Sequence, residues 1–365
     1  MTKKTKNLKS KLADKLPGKN KKQSQSLMVT NNNIEEYRKD ILARGRKLKY
    51  PVQYSKKRLI IVSVSIVTLA FAIFVVWLNR ALYKEQQTGD FYYSVTKTVP
   101  LNVARVDGYP VKYEDYLRRL RADIHYYVNR EGRSFNSKEG KRELDFHKRQ
   151  NLDTAEKVAY TRKLASEHNL KVTNGEVEAQ VKKMRSSDQA TDDDLTNTLK
   201  KFYGWTINDL KATTRDEMLE RKISYEIDTD AKDKIEDIQR QLKSTKSAKT
   251  GDAVKKFESI AKKSSDDASS KNNGGKVVAK DTDDDPTGIL DQVKQLAVGQ
   301  TSDIKQAKVN NENYYYIVRL DSKEDDKITY HVIMVKLTKL DDDFKKLQDS
   351  KKIEEYINVP KDNEF

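Results

Sequence analysis

One stretch of the chain carries no charge at all: Leu59 to Asn79, LIIVSVSIVTLAFAIFVVWLN. At ~1.5 Å per residue, a helix of these 21 residues is ~31 Å long, the thickness of a bilayer's hydrocarbon core. Lys56, Lys57 and Arg58 close its N-terminal side, and Trp77 and Tyr83 stand where interfacial aromatics are expected. A buried core helix rarely runs this long without a charge, so the pattern predicts a transmembrane helix over 59–79. Residues 80–100 follow as a linker.

Past residue 100 the pattern becomes that of a folded domain. Asn102 to Val111 predicts a short hairpin around Asp107-Gly108, a type I′ turn signal. Tyr113, Tyr116, Leu117, Leu120, Ile124 and Tyr127 then recur at helical spacing. Residues 129–150 are polar and predict a loop or frayed helix, with a further helix over about 153–168. Thr173 with Glu176, and Thr206 with Asp209, predict capping boxes at two helix starts, stapled by Val172 with Val177 and by Trp205 with Leu210. From Ala231 the pattern mixes types. Ile235, Ile238 and Leu242 predict a helix, interrupted by a Ser/Lys/Thr/Gly stretch over 243–252. The helix resumes at Phe257 and Ile260, and a polar loop spans 264–288. Ile289, Leu290, Val293 and Leu296 predict a short helix ending near Gly299 as its C′ residue. Tyr314–Leu320 and Ile328–Val335 predict strands, and Phe344, Leu347, Ile353, Tyr356 and Ile357 predict a terminal helix. The whole is an α+β pattern.

Charge changes how the N-terminus is read. The chain's 365 residues carry a net charge of +16, a bulk figure that points to nucleic acid or anionic membrane. Residues 1–58 hold 18 Lys and Arg against 4 Asp and Glu, a balance of +14, which leaves +2 on the rest. This basic tail has too little apolar surface to fold alone. It lies before the apolar run, so the N-terminus is expected in the cytoplasm and everything beyond about residue 84 outside it. The n-region is far too long for a cleaved signal peptide, and no A-x-A-like site follows the run. The expected partner of the tail is anionic membrane lipid; no nucleic acid is expected, because no aromatics interleave with the charge. The absence of Cys removes disulfides, Cys-ligated zinc, iron–sulfur clusters and thiol nucleophiles. The four histidines are too dispersed for a compact metal site, so neither metal nor cofactor is expected.

Two regions of the chain carry a resemblance. Phe257-Glu-Ser-Ile260-Ala261 through Ser265, Asp267 and Gly274-Gly275, then Leu296-Ala-Val-Gly299-Gln300, then Tyr315-Tyr316-Ile317-Val318, resemble the parvulin-type (PpiC) peptidyl-prolyl isomerases in family order, over roughly 222–322. Val103-Ala104-Arg-Val106-Asp107-Gly108-Tyr-Pro110-Val111 and Leu170-Lys-Val172-Thr173-Asn-Gly-Glu176-Val177 are similar to the N-terminal domain of SurA/PrsA-type foldases. The resemblance implies an α-helical chaperone domain over 101–225, a parvulin-like antiparallel sheet flanked by helices over 226–322, and a C-terminal strand and helix over 323–365. It also implies binding of unfolded or proline-containing exported polypeptides.

Family members carry a His on their first strand. The candidate strand here, Ile223–Ile227, has none, Tyr316 stands where a second His is frequent, and Val278 stands where a Gly is frequent. Asp267 occupies the family's Cys-or-Asp position. The resemblance therefore nominates Asp267 and Tyr316 as catalytic residues and Leu290, Val293, Leu296 and Ile304 as the proline pocket. His331, in a string similar to the family's first strand, lies after that region and reaches the site only if its strand joins the sheet; a His with no catalytic role is the preferred reading. Prolyl isomerisation breaks no bond permanently: its barrier of ~18–20 kcal/mol is amide resonance, so an apolar pocket and a hydrogen-bonded frame that favour the twisted amide suffice. Two readings stay open, an anchored parvulin-type isomerase and a non-catalytic holdase of the same architecture.

Overall fold

The structure, a computed structural model, describes residues 31–49, 51–187, 191–244 and 250–361. The chain forms two compact units that divide between Val76 and Trp77. In the first, the tail expected to stay unfolded carries a helix, α1 (Asn31–Lys49), in its second half; residues 1–30 lie outside the described residues. Ile34, Tyr37 and Ile41 fall on helical spacing, and Asp40 pairs with Arg44 one turn on at 2.8 Å. The apolar run belongs to α2 (Pro51–Asn79), and the segment Lys56–Lys84 is long and apolar enough to cross a membrane.

In the second unit the segment expected as a linker is structured. A π-helical turn (Arg80–Lys84) and α3 (Asp90–Thr98) bury Leu82 and Tyr93. Tyr113 Oη donates to the Leu82 carbonyl at 2.6 Å, and Tyr93 Oη donates to Asp209 Oδ1 at 2.6 Å. Strands β1 (Asn102–Val106) and β2 (Tyr109–Lys112) form the predicted hairpin, with Asp107 and Gly108 at φ 46° and 79°, as its turn requires.

Five helices follow: α4 (Tyr113–Asn129), α5 (Lys138–Glu167), α6 (Asn174–Ser187), α7 (Asp192–Tyr203) and α8 (Ile207–Ile227). Helix α5 begins well before the predicted 153. Ser137 caps it through Gly140 N at 3.0 Å, and its early buried positions are His147, Arg149 and Asn151, which leave no apolar periodicity to read. Both predicted capping boxes form, and a third, Thr191 with Asp194, starts α7. Ile223–Ile227 is the end of α8, not a strand: Leu219, Ile223 and Ile227 pack on the helical core one turn apart.

Next come α9 (Thr229–Lys243), α10 (Thr250–Ser264), β3 (Lys276–Lys280), α11 (Ile289–Lys294), β4 (Lys305–Val309), β5 (Glu312–Glu324) and β6 (Lys327–Lys336). Strand β3 lies inside the stretch expected as a loop. Helix α11 ends too early for Gly299 to be its C′ residue; Gly299, at φ 83°, instead donates its N–H to the Leu320 carbonyl at 2.7 Å. The four strands form one antiparallel sheet in the order β3-β6-β5-β4. The predicted terminal helix stops at α12 (Lys339–Asp349); the chain then turns through Lys351 at φ 56°, and β7 (Ile353–Glu355) pairs with β1. Leu340, Phe344, Ile357 and Val359 thus enter the core of Tyr113, Tyr116, Leu120 and Leu152. Asp228 joins the two halves. It caps α9 through Ala231 N at 3.0 Å and accepts from Thr338 N and Lys339 N at the start of α12.

The same C-terminal return builds a buried charge cluster. Arg149 meets Glu355 at 3.0 Å, Asp153 at 2.5 Å and Glu156 at 3.7 Å, and Glu156 is 1% exposed. Burial, then the Glu355 charge, push the Glu156 carboxyl up to about 8. The native state therefore keeps a proton that the unfolded chain releases near 4.5, and this group's contribution to stability falls as pH rises through that window. Glu156→Gln is expected to flatten the fall, so that the variant gains on the parent in thermal unfolding from pH 5 to 9. Equal pH slopes would show that Glu156 is ionised in the native state.

Candidate functional site

The register of the sheet decides which side chains share a face. Tyr316 pairs with Met334, so Tyr330, Val332 and Met334 of β6 stand on the same face as Tyr314, Tyr316 and Val318 of β5. This face packs against Leu290 and Val293 of α11, with Leu296 and Val277 at its margin. The opposite face carries Tyr315, Ile317, Ile333 and Val335 and packs against Ile235, Ile238, Phe257 and Ile260.

Of the six candidate residues, Tyr316, Leu290, Val293 and Leu296 come together on the first face. Ile304 does not. It packs with the second cluster, because Ala307 faces Tyr316's side and Ile304 lies an odd number of residues away.

Asp267 lies in the loop after α10. Its carboxylate accepts from Ser269 N at 3.1 Å, Ser269 Oγ at 2.7 Å and Ser270 Oγ. Burial works to raise its pKa, but the hydroxyls of Ser270 and Ser269 outweigh it and hold the group below the usual carboxylate range. Asp267 thus braces its own loop as a fixed negative charge, and that charge acts on Tyr314 and Tyr330.

Tyr316 is 2% exposed and its hydroxyl has no hydrogen-bond partner among the described residues. Burial, then the Asp285 charge, push it up to about 12, so it is a hydrogen-bond donor at neutral pH. Asp285 itself caps α11, accepting from Leu290 N at 2.5 Å.

His331 does join the sheet, but on the face turned away from Tyr316, beside Ile333 and Val335. A bulge between Leu320 and Ser322 lets Asp321 reach it. His331 Nδ1 lies 2.5 Å from Asp321 Oδ2, and Nε2 lies 3.3 Å from Glu258 Oε1. The ring is 2% exposed against Phe257. Asp267, Tyr316 and His331 therefore do not converge.

The motif residues lean on β6. Ser265 Oγ accepts from Met334 N at 3.1 Å, Asp266 N donates to the Met334 carbonyl at 2.7 Å, and Val332 N donates to the Gly275 carbonyl at 2.8 Å. The paired glycines are required by this approach. Both have positive φ, and a Cβ on Gly275 would lie 2.3 Å from the Val332 carbonyl oxygen. Val278, by contrast, is exposed on edge strand β3, where a side chain is tolerated. Sequence reasoning missed Tyr330, Val332 and Met334 because their strand follows the motifs. The signal lay in the alternation of Ile328–Val335, but its parity against β5 appears only with the register.

Away from the sheet, a cavity of about 670 Å³ is lined by Arg118, Arg162, Asp115, Asp216 and the 165–172 segment. Among the described residues no group of three His, Asp or Glu is placed to hold a metal ion.

Residues 53–224 match the family model of the SurA-like N-terminal domain, and residues 218–322 match that of the PPIC-type PPIase domain. The chain joins a SurA-like domain to a parvulin-type isomerase domain. No curated protein matches the chain. The isomerase match begins within α8 and ends within β5, so inner strand β6 lies outside it. A parvulin-type foldase or chaperone is the architecture these two domains define together.

Proposed function

We propose that the protein is a membrane-anchored, extracytoplasmic foldase. It binds proline-containing segments of exported polypeptides on the Tyr316 face of the sheet and accelerates their cis–trans isomerisation. The observation that carries the reading is the apolar floor of Leu290, Val293 and Leu296 beside an unpartnered, protonated Tyr316 hydroxyl, in a domain that matches the PPIC-type family. The proline ring would lie against the accessible edge of that cluster at Leu296, with Leu290 and Val293 buried beneath it. Tyr316 would donate to a substrate backbone carbonyl and hold the chain while the amide twists, and Asp267 would act electrostatically from its braced loop. Desolvation favours the less polar twisted amide, so the site needs no nucleophile.

The anchor is the apolar helix, and the preceding excess of Lys and Arg supports a cytoplasmic N-terminus and contact with anionic lipid. In this reading the tail occupies 1–58, the span 59–79 and the helical chaperone domain 101–225. The isomerase domain extends from about 226 past 322 to include β6, and 339–365 returns to the helical domain.

The holdase reading is favoured by one observation: the segment expected as the first strand is the end of α8 and carries no His, Tyr316 stands at the second position, and His331 faces away from the site. A protease-coupled assay on an Ala-Ala-Pro-Phe anilide, with the full chain in detergent, separates the two. Acceleration of the slow phase is expected. No acceleration with suppressed aggregation of an unfolded client leaves the holdase, and failure of both overturns the foldase.

A further inference from the structure

Strand β6 brings one side chain to the substrate face that nothing in the matched segment supplies. Tyr330 stands between Val277 of β3 and Leu320 of β5 in register, on the same face as Tyr316. Its ring packs with Leu290, Val293 and Tyr316's cluster and is 8% exposed. Buried tyrosines usually find a hydrogen-bond partner for the hydroxyl. Tyr330 has none among the described residues, and its oxygen is not among the side-chain atoms sealed from solvent. Its hydroxyl, like that of Tyr316, therefore keeps some contact with solvent from an otherwise buried apolar wall.

We infer that Tyr330 is a second substrate-binding residue of the isomerase site, its hydroxyl donating to a backbone carbonyl of the bound polypeptide on the α11 side of the sheet. The inference rests on the foldase reading above. Three features support it together. The Ser265, Asp266 and Gly275 motif residues are hydrogen-bonded to β6, so the position of Tyr330 relative to the Asp267 loop is fixed by the same contacts that hold that loop. The phenol lies within electrostatic reach of both Asp285 and Asp267. Burial, then those two charges, push it up to about 12, which keeps it a donor across the neutral range. Two unpartnered tyrosyl donors, beside Tyr314 whose hydroxyl is engaged by Glu312, thus stand on a face from which histidine is absent. Binding through them has no titration between pH 6 and 9, unlike binding through an imidazole.

The test is equilibrium binding of a fluorescein-labelled Ala-Ala-Pro-Phe peptide to the full chain in detergent, followed by anisotropy. Tyr330→Phe removes one oxygen and keeps the ring. Loss of one neutral hydrogen bond is expected to weaken binding about three- to tenfold, with the melting temperature unmoved and binding flat from pH 6 to 9. Tyr315→Phe, on the opposite face, is expected to bind as the parent does. Equal affinity of Tyr330→Phe and parent overturns the inference and leaves Tyr330 a packing residue. If the parent itself binds no peptide, the foldase reading fails first. Should Tyr330→Phe prove unstable, ¹³Cζ-tyrosine spectra of the parent decide: peptide must move two resonances for the inference to stand, and one or none overturns it.

Discussion

A chain ending at Ser322, the last residue of the isomerase-family match, is expected to lose a folded isomerase sheet and all peptide binding with it. The match boundary cuts the sheet at its centre. Strand β6 is the partner of both β3 and β5, and β3 has no other neighbour among the described residues. Without it Ser265, Asp266 and Gly275 lose the hydrogen bonds they make to β6, and Ile317 and Val318 lose apolar cover on both faces. The truncation also strips Leu340, Phe344, Ile357 and Val359 from the helical core, so a point variant isolates the sheet. Ile333→Asp in the full chain places an unpaired charge at a fully buried position, at a cost of several kcal/mol, on the order of a domain's whole stability. Limited proteolysis reads both variants. Cleavage between residues 250 and 340 where the parent resists is expected. A protease-resistant sheet in the Ser322 truncation would show that the matched segment folds without β6.

Removing Arg118 is expected to cost the helical domain about 3–5 kcal/mol. Arg118 is 2% exposed and meets Asp115 at 2.9 Å and Asp216 at 3.1 Å. Arg162 bridges the same two carboxylates from α5 at 2.5 and 2.7 Å, and Arg119 reaches Asp216 at 3.3 Å. Burial works to raise the Asp115 pKa, and the neighbouring Arg162, then Arg118 and Arg119, outweigh it, so the group is held ionised. Arg118→Met leaves two buried carboxylates short of a partner, a much larger loss than the pair's own net contribution. Arg240→Met breaks an exposed pair with Asp237 and serves as the control, with an expected change below about 0.5 kcal/mol. Urea unfolding followed by circular dichroism measures both. Similar midpoints for the two variants would show that the Asp115–Arg118–Asp216 network does not hold α4, α5 and α8 together.

These two expectations mark where the sequence was readable and where it was not. Local signals carried through: Asp107-Gly108 made its turn, Thr173 and Thr206 made their capping boxes, and the family motifs met the matching models. What failed were inferences that need a partner element. The first half of α5 was hidden because its inward positions His147, Arg149 and Asn151 are polar, and part of what satisfies them, Asp123 of α4 and Glu355 of β7, lies on other elements. Ile304 is apolar and adjacent to the motif, but a single residue of parity sends it to the opposite core. His331 carried the right residue type in the right string, and the same parity turned it toward Glu258 and Asp321. The place of β6 at the centre of the sheet could not be read from chain order, because it pairs across the connection from β5 and inserts beside β3.

The proposed function places bound polypeptide on the Tyr316 face of the sheet. Ile333 and Met334 are neighbours in sequence and point to opposite faces, so their methyl groups report on the two faces separately. The chain has five methionines, which keeps the methyl spectrum assignable by single substitutions. Titrating the Ala-Ala-Pro-Phe peptide into the ¹³C-methyl-labelled full chain in nanodiscs is predicted to shift the Met334 methyl and leave the Ile333 δ-methyl in place. A shift of Ile333 with Met334 silent, or a response confined to Met184 or Met218 of the helical domain, would place binding elsewhere and overturn the Tyr316 face as the site.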